Sequence, residues 1–102
     1  MKPAVLAPRA RRDLHEASQW IARNNPTAAR ALRTAIHRVT RLLGEHPRTG
    51  RKRPDITSYP VRFLVLPGTS YVIVYDAEVT PPLIHRVPHG SRDLPGILED
   101  DA

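Results

Sequence analysis

The residues with the clearest potential for chemistry lie late in the 102-residue chain, in the stretch IHRVPHGSRDLPGIL at positions 84–98. Cleavage of RNA needs a group that removes the 2′-hydroxyl proton, a group that protonates the leaving oxygen, and cations that stabilise the charged phosphorane. Histidine exchanges protons near neutral pH, so His89 is the candidate acid or base. The arginines Arg62, Arg86 and Arg92 could supply the cations.

A second interpretation of the same segment needs no chemistry. His89 would end the last strand, and Arg92 and Asp93 would form a local ion pair. No second acid or base is evident beside His89 in the sequence, and a perturbed group without a partner is weak support for catalysis. The segment therefore favours recognition over catalysis.

Other kinds of site have little support. The chain has no cysteine, which excludes a disulfide framework and a thiolate metal site. Among five histidines there is no HExxH pattern, and no carboxylate is placed to join His85 and His89 on one strand face. The five glycines are scattered and form no phosphate loop. We expect no metal and no cofactor.

The charge is strongly basic. The chain has sixteen Lys and Arg residues and ten Asp and Glu residues, which gives a net charge of +6. Fourteen of the sixteen basic residues are arginines. Arginine favours bidentate contact with phosphate or carboxylate, so the expected partners are nucleic acid or an acidic protein. A merely solvated basic face is the plainer alternative. The missing cysteines and the short apolar stretch before Arg9 predict a cytoplasmic protein without a signal peptide or membrane span.

Two helices are predicted near the start of the chain. Apolar residues recur at helical spacing from Ala10 to Ile21, although Ala7 at the expected N-cap cannot cap the helix. Asn25 and Pro26 are typical of the next helix start. That helix is predicted over Pro26–Glu45. Its apolar stripe faces a core, and a basic ridge on the opposite side comprises Arg30, Arg33, His37 and Arg41.

Strands are predicted at 2–6, 59–66, 71–76 and 83–87, with a final helical turn at 93–98. Residues 51–53 are predicted to be a basic loop. The resulting class is α+β, in the order β-α-α-β-β-β, with the helices on one face of a mainly antiparallel sheet and one domain over residues 1–102. The residues expected to meet the helical stripe are Val61, Phe63, Val65 and Ile73.

Five segments carry a resemblance to a known family, and together they cover nearly the whole chain. They are LAPRARRDL at 6–14, WIARNNPTAA at 20–29, LLGEHPRTGR at 42–51, YVIVY at 71–75 and RVPHGSRDL at 86–94. In this order and at these separations they resemble the ParE branch of the RelE/ParE toxin superfamily. The resemblance implies a growth-inhibiting toxin that a cognate antitoxin, of ribbon-helix-helix type, neutralises by wrapping its helical hairpin and sheet.

The resemblance leaves two targets open, because one scaffold serves both. ParE-type toxins are linked to inhibition of DNA gyrase, and RelE-type toxins cut mRNA on the ribosome. RelE-type nucleases carry an aromatic or a further acid or base close to the chain end, whereas no aromatic follows Tyr75 here. We therefore expect a gyrase poison, with the ribosome-dependent nuclease as the alternative. A plain nucleic-acid-binding module is a third possibility, but the basic residues lack interleaved stacking aromatics.

The candidate residues fall into three sets. The residues expected to bind the target are Arg51, Arg53, His89, Arg92, Asp93 and Leu94. The residues expected to bind the antitoxin are Leu14, Trp20, Ile21, Leu32 and Ile36. The alternative catalytic set is His89, Arg62, Arg86 and Arg92.

Overall fold

A computed structural model describes residues 2–100 of the chain, with side chains for residues 2–98. The elements are β1 (Val5–Leu6), α1 (Pro8–Ala22), α2 (Pro26–Glu45), β2 (Arg51–Lys52), β3 (Arg62–Val65), β4 (Val72–Asp76), β5 (Leu83–Arg86) and α3 (Leu94–Asp100). The predicted α+β class is confirmed. Strand β2 is an addition to the predicted order.

Both long helices begin with proline, but only one has a side-chain cap. In α2 the Asn25 Oδ1 atom accepts a hydrogen bond of 3.0 Å from the Ala28 N–H, which satisfies one of the free donors of the first turn. In α1 the N-cap residue is Ala7, which makes no such bond. The predicted bounds of α2 are confirmed.

The five strands form one sheet in the order β1-β5-β4-β3-β2. The pairs β2–β3, β3–β4 and β4–β5 are antiparallel, and β1 runs parallel to β5 with Val5 opposite Leu83. A parallel neighbour needs a long connection, and here the chain between β1 and β5 includes the helical hairpin and three strands. The sheet is therefore mixed, with one parallel pair at its edge.

The basic loop predicted at 51–53 is partly a strand. Arg51 and Lys52 pair with Phe63 and Arg62 and form the outer strand of the sheet. Two charged residues on an edge give no apolar periodicity, which is why the sequence pattern did not predict the strand.

The main core lies between the helical hairpin and one face of the sheet. Leu32, Ile36 and Leu43 of α2 pack with Ile73 and Tyr75 of β4. Leu66 and Ile84 are fully buried in the same cluster. The predicted apolar stripe of α2 is confirmed as a buried face.

The opposite face of the sheet carries a smaller apolar cluster. The prediction that Val61, Phe63 and Val65 meet the helical stripe is therefore wrong. Val61 and Phe63 pack with Val74 and Leu98, away from the long helices. Val65 is 61% exposed. The alternation along β3 was predicted, but pairing with β4 turns Leu64 toward Ile73 and the helices instead. A period of two identifies two faces and does not say which face the helices cover.

Among residues 2–100, no helix combines the length and the apolar character needed to cross a membrane.

Candidate functional site

A buried ion pair joins the first helix to the last strand. The Arg86 Nε and Nη2 atoms donate to the Asp13 carboxylate at 2.8 and 3.2 Å. The same carboxylate accepts the Val87 N–H at 2.9 Å. The side chains of Asp13 and Arg86 are only 10% and 6% exposed. Arg86 therefore stabilises the packing of α1 on β5 and does not face solvent as a cation for a phosphorane.

A second buried network holds the connection between α2 and β2. The Tyr75 hydroxyl donates to the Pro47 carbonyl at 2.7 Å and accepts the Gly50 N–H at 2.8 Å. The Arg62 Nη1 atom donates to the Gly50 carbonyl at 2.8 Å. A Cβ atom on Gly50 would lie 2.8 Å from the Tyr75 ring and hydroxyl, so only glycine fits there. This network fixes the start of β2.

The tyrosine in this network has an altered titration. Burial raises the pKa of Tyr75 above the ordinary value of 10.0, while the Gly50 N–H bond and the nearby Arg62 charge act in the opposite direction. Burial disfavours the charged phenolate. The hydroxyl therefore stays protonated, and can keep donating to Pro47, to a higher pH than an ordinary tyrosine would.

His89 lies just beyond the end of β5 and makes local contacts. Its ring meets the Tyr71 ring edge-on at a centroid distance of 5.2 Å, and its Nδ1 atom lies 2.7 Å from the Ser91 Oγ atom. The chain stays alongside β4 here, because the Val72 N–H donates to the Pro88 carbonyl at 2.9 Å. The Pro88 carbonyl is thus the hydrogen-bond acceptor that pairs this part of the chain with β4.

The alternative catalytic residues are engaged at separate places. Arg86 binds Asp13 on α1, Arg62 binds the Gly50 carbonyl, and His89 contacts Tyr71 and Ser91. Arg92 is exposed and forms no ion pair within the described residues. Among residues 2–98 the predicted local ion pair between Arg92 and Asp93 is not formed, and the Asp93 carboxylate accepts the Gly96 N–H at 3.4 Å. These residues do not converge on one reacting atom.

A cavity of about 580 Å³ lies at the outer part of the sheet, on the side away from the long helices. Its basic rim comes from Arg51 and Arg53, two of the residues predicted to bind the target. Leu94, also predicted to bind the target, and Gly90, next to His89, line the cavity as well. The apolar floor comprises Ile56, Phe63, Val65 and Val72. We call this site the sheet cavity.

The two arginines of the sheet cavity differ in their partners. Arg53 forms a bidentate pair with Asp55 at 2.8 and 3.0 Å, and this bond lowers the pKa of the Asp55 carboxyl. Arg51 forms no ion pair within residues 2–98. Arg51 is thus the rim arginine that has no ion-pair partner among those residues.

A groove of about 680 Å³ runs over the helical hairpin beside the edge strand β1. Leu14 and Ile36, two predicted antitoxin-binding residues, line it together with Val5 and Leu6. The rim is basic and polar, and comprises Arg11, His15, Arg33 and His37. We call this site the hairpin groove.

The other predicted antitoxin-binding residues lie elsewhere. Leu32 is 1% exposed and belongs to the core, and Ile21 packs partly buried against that core. Trp20 is 67% exposed, and the Arg23 guanidinium lies 5.3 Å from its ring centroid. Of the five residues, Trp20 thus offers the largest exposed apolar surface and Leu32 offers none.

Two structural residues were not predicted as part of any site. Asp13 lies in the first predicted helix, and Tyr75 lies in the strand predicted at 71–76. Their partners lie far away in sequence, 73 residues for Asp13 and Arg86 and 28 for Tyr75 and Pro47. Both residues lie inside apolar periodic segments, where a buried polar side chain needs a hydrogen-bond partner. Their position could therefore have indicated a structural role.

The structure thus combines a helical hairpin on one face of a mixed sheet with a cavity that has a basic rim on the other face. The sequence profile described as the ParE toxin of type II toxin-antitoxin system, parDE, matches residues 4–94, and the chain belongs to this family. A comparison with curated protein sequences gives no significant match.

Proposed function

We propose that this ParE-family toxin inhibits growth in the cytoplasm by binding and poisoning DNA gyrase, and that a cognate antitoxin neutralises it. The observation that carries the proposal is the sheet cavity, which joins the Arg51 cation to an apolar floor. Such a combination suits recognition of a macromolecule, because binding sites pair apolar anchors with a few directed charges. Membership of the ParE family supports the toxin class.

The dispersed positions of the alternative catalytic residues favour gyrase over mRNA cleavage. General acid–base chemistry needs groups within hydrogen-bond reach of one substrate. Arg62 and Arg86 instead bind protein partners in different parts of the fold. A toxin that acts by occupying a surface needs no such convergence.

The gyrase proposal is tested by a matched pair of charge reversals on β2. Arg51 lines the sheet cavity, and the adjacent Lys52 does not, although both residues are exposed. We expect purified full-length toxin to inhibit supercoiling by gyrase. Arg51→Glu should weaken the inhibition roughly tenfold, because a charge reversal at an interface places like charges together. Lys52→Glu should leave it near the wild-type level.

A parallel assay separates the nuclease alternative. The toxin is added to a translating extract, and mRNA cleavage is mapped for the wild type and for His89→Ala. We expect no cleavage with either protein. Cleavage by the wild type that disappears in His89→Ala, together with unaffected gyrase, would overturn the proposed target.

We further propose that the antitoxin fills the hairpin groove with an amphipathic segment whose acidic side chains meet the basic rim. The apolar floor at Leu14 and Ile36 and the rim at Arg11 and Arg33 support this occupant. The adjacent strand β1 is an open edge on which a partner strand could also pair.

A second matched pair tests this groove. Arg11 lines it, whereas Arg12 is exposed one residue further along α1 and does not. The toxin is co-expressed with the product of the neighbouring reading frame, and the affinity is measured by titration calorimetry. We expect Arg11→Glu to weaken binding roughly tenfold or more, and Arg12→Glu to change it much less. Equal losses in both variants would contradict the groove as the binding site.

A further inference from the structure

The outer face of α2 carries an uninterrupted row of basic side chains. Arg30, Arg33, His37, Arg38 and Arg41 are all exposed. Together with Thr34 they line a shallow depression of about 640 Å³. We call this surface the basic ridge; the structure adds Arg38 to the residues expected from sequence.

The charges of the basic ridge are not balanced by the protein itself. Helix α2 contains one acidic residue, Glu45, at its last position. The salt bridges found within the described residues join Arg53 to Asp55 and Arg86 to Asp13, both away from the ridge. Four guanidinium groups are therefore left to find anions outside the molecule.

We infer that the basic ridge binds the phosphate backbone of duplex DNA without reading its sequence. Arginine matches phosphate because its planar fork donates two hydrogen bonds at once. The ridge carries no asparagine or glutamine, the side chains that pair with adenine in a groove, and we assign its arginines to phosphate oxygens, which with the sugars accept at least half of all protein–DNA hydrogen bonds. Its contacts would thus position the protein on DNA and carry no sequence information.

The dimensions of the ridge fit a duplex. The rise of about 1.5 Å per residue places Arg30 and Arg41 about 16 Å apart along the helix. A duplex carries one phosphate per roughly 1.7 Å of its axis. Several phosphates therefore lie within reach of four arginines on a straight helix.

The chemistry of the ridge favours duplex DNA over the other anionic macromolecules. An acidic protein partner would need apolar anchors at the centre of the contact, and the ridge presents only charged and polar side chains. A single strand would need large aromatic side chains for base stacking, and no Phe, Tyr or Trp lines the ridge. Protein–DNA interfaces are more polar and more positively charged than protein–protein interfaces.

The test measures fluorescence anisotropy of a labelled 20-base-pair duplex with the full-length toxin at several salt concentrations. Four phosphate contacts predict a slope of about −3.6 for log affinity against log salt. Affinity should therefore fall about 100-fold between 50 and 200 mM salt. Duplexes of unrelated sequence should bind equally well.

A matched pair of double variants locates the contact. Arg38→Gln with Arg41→Gln removes two ridge charges that do not line the hairpin groove, and the slope should decrease by about 1.8. Arg9→Gln with Arg12→Gln removes two exposed charges from α1 and should leave the slope nearly unchanged. Glutamine is close to arginine in helix propensity, and thermal melting checks that both variants fold.

Three results would overturn the inference: no change of slope in the ridge variant, an equal change in the α1 variant, or equally tight binding of poly-glutamate of matched charge. The last result would identify a general preference for polyanions. No gyrase is present in this assay, so its outcome is independent of the proposed target.

Discussion

Asp13 and Arg86 are the residues that tie the first helix to the last strand. Their paired side chains are nearly inaccessible to water, and the carboxylate also holds the Val87 N–H. In the alternative catalytic interpretation of the sequence, Arg86 was a cation available to a substrate. Burial against α1 decides the role, and a partner 73 residues away cannot be read from local pattern.

Replacement of the carboxylate should be costly for stability. Asp13→Ala removes the carboxylate that pairs with the buried Arg86 guanidinium. Loss of one member of a buried ion pair costs about 3–5 kcal/mol of folding stability. The free energy of unfolding is measured by urea denaturation. The control is Asp55→Ala, which breaks the exposed pair with Arg53 and should cost far less, because water screens an exposed ion pair. Similar losses in the two variants would contradict the structural role.

Tyr75 gives the protein a dependence on alkaline pH. An unfolded chain ionises tyrosine near pH 10, whereas burial raises the pKa of Tyr75 in the folded protein. Above pH 10 the folded state binds more protons than the unfolded state, so the free energy of unfolding falls as pH rises. The melting temperature of the wild type should therefore decrease between pH 9 and pH 11.

Tyr75→Phe tests the contribution of the same hydroxyl by removing it. The variant leaves the buried Gly50 N–H without its acceptor and should lose about 1–3 kcal/mol at neutral pH. It should also show a smaller further loss in alkali than the wild type, by the same melting measurement. Tyr59→Phe, at an exposed position, is the control and should match the wild type in both respects.

At the scale of elements, the two long helices differ in how they begin. Asn25 caps α2 through its side chain, and Ala7 precedes α1 without a cap bond. Asn25→Ala should cost about 1 kcal/mol, and Ala7→Asp should gain a similar amount because the extended backbone at Ala7 suits an N-cap. Both changes are measured by thermal melting. A loss of stability in Ala7→Asp would show that the site does not admit the larger side chain.

The elements that could be predicted from sequence are those with local signals. Helix α2 has a capping asparagine, a proline at its first position and a regular apolar stripe, and its bounds were predicted correctly. Strand β2 has none of these signals and exists because Arg51 and Lys52 lie beside β3. The parallel position of β1 likewise depends on β5, a distant element.

At the scale of the whole molecule, the hairpin groove and the basic ridge are neighbouring surfaces. Arg33 and His37 line both of them. The sequence predicted the residue types of these surfaces but not their adjacency, because adjacency depends on how α1 packs against α2 and β1. The sheet cavity lies on the opposite face of the sheet from both.

This adjacency predicts competition between the antitoxin and DNA. If the antitoxin fills the hairpin groove, it occupies Arg33 and His37, and the toxin should bind the labelled duplex more weakly. The measurement is anisotropy with increasing amounts of an antitoxin fragment that lacks its own DNA-binding domain. A stable complex of toxin, fragment and duplex at wild-type affinity would contradict the shared surface.

The parallel pairing of β1 with β5 also determines when the protein can fold during synthesis. The helical hairpin is local and can form early, but its apolar face has no sheet to cover it until β3, β4 and β5 have been translated. Distant contacts of this kind form slowly and leave apolar surface exposed in the meantime. The nascent chain thus has neither a closed sheet cavity nor an anchored α1 until Arg86 has emerged. The contacts that join the helical hairpin to the sheet are therefore completed only after nearly the whole molecule has been translated.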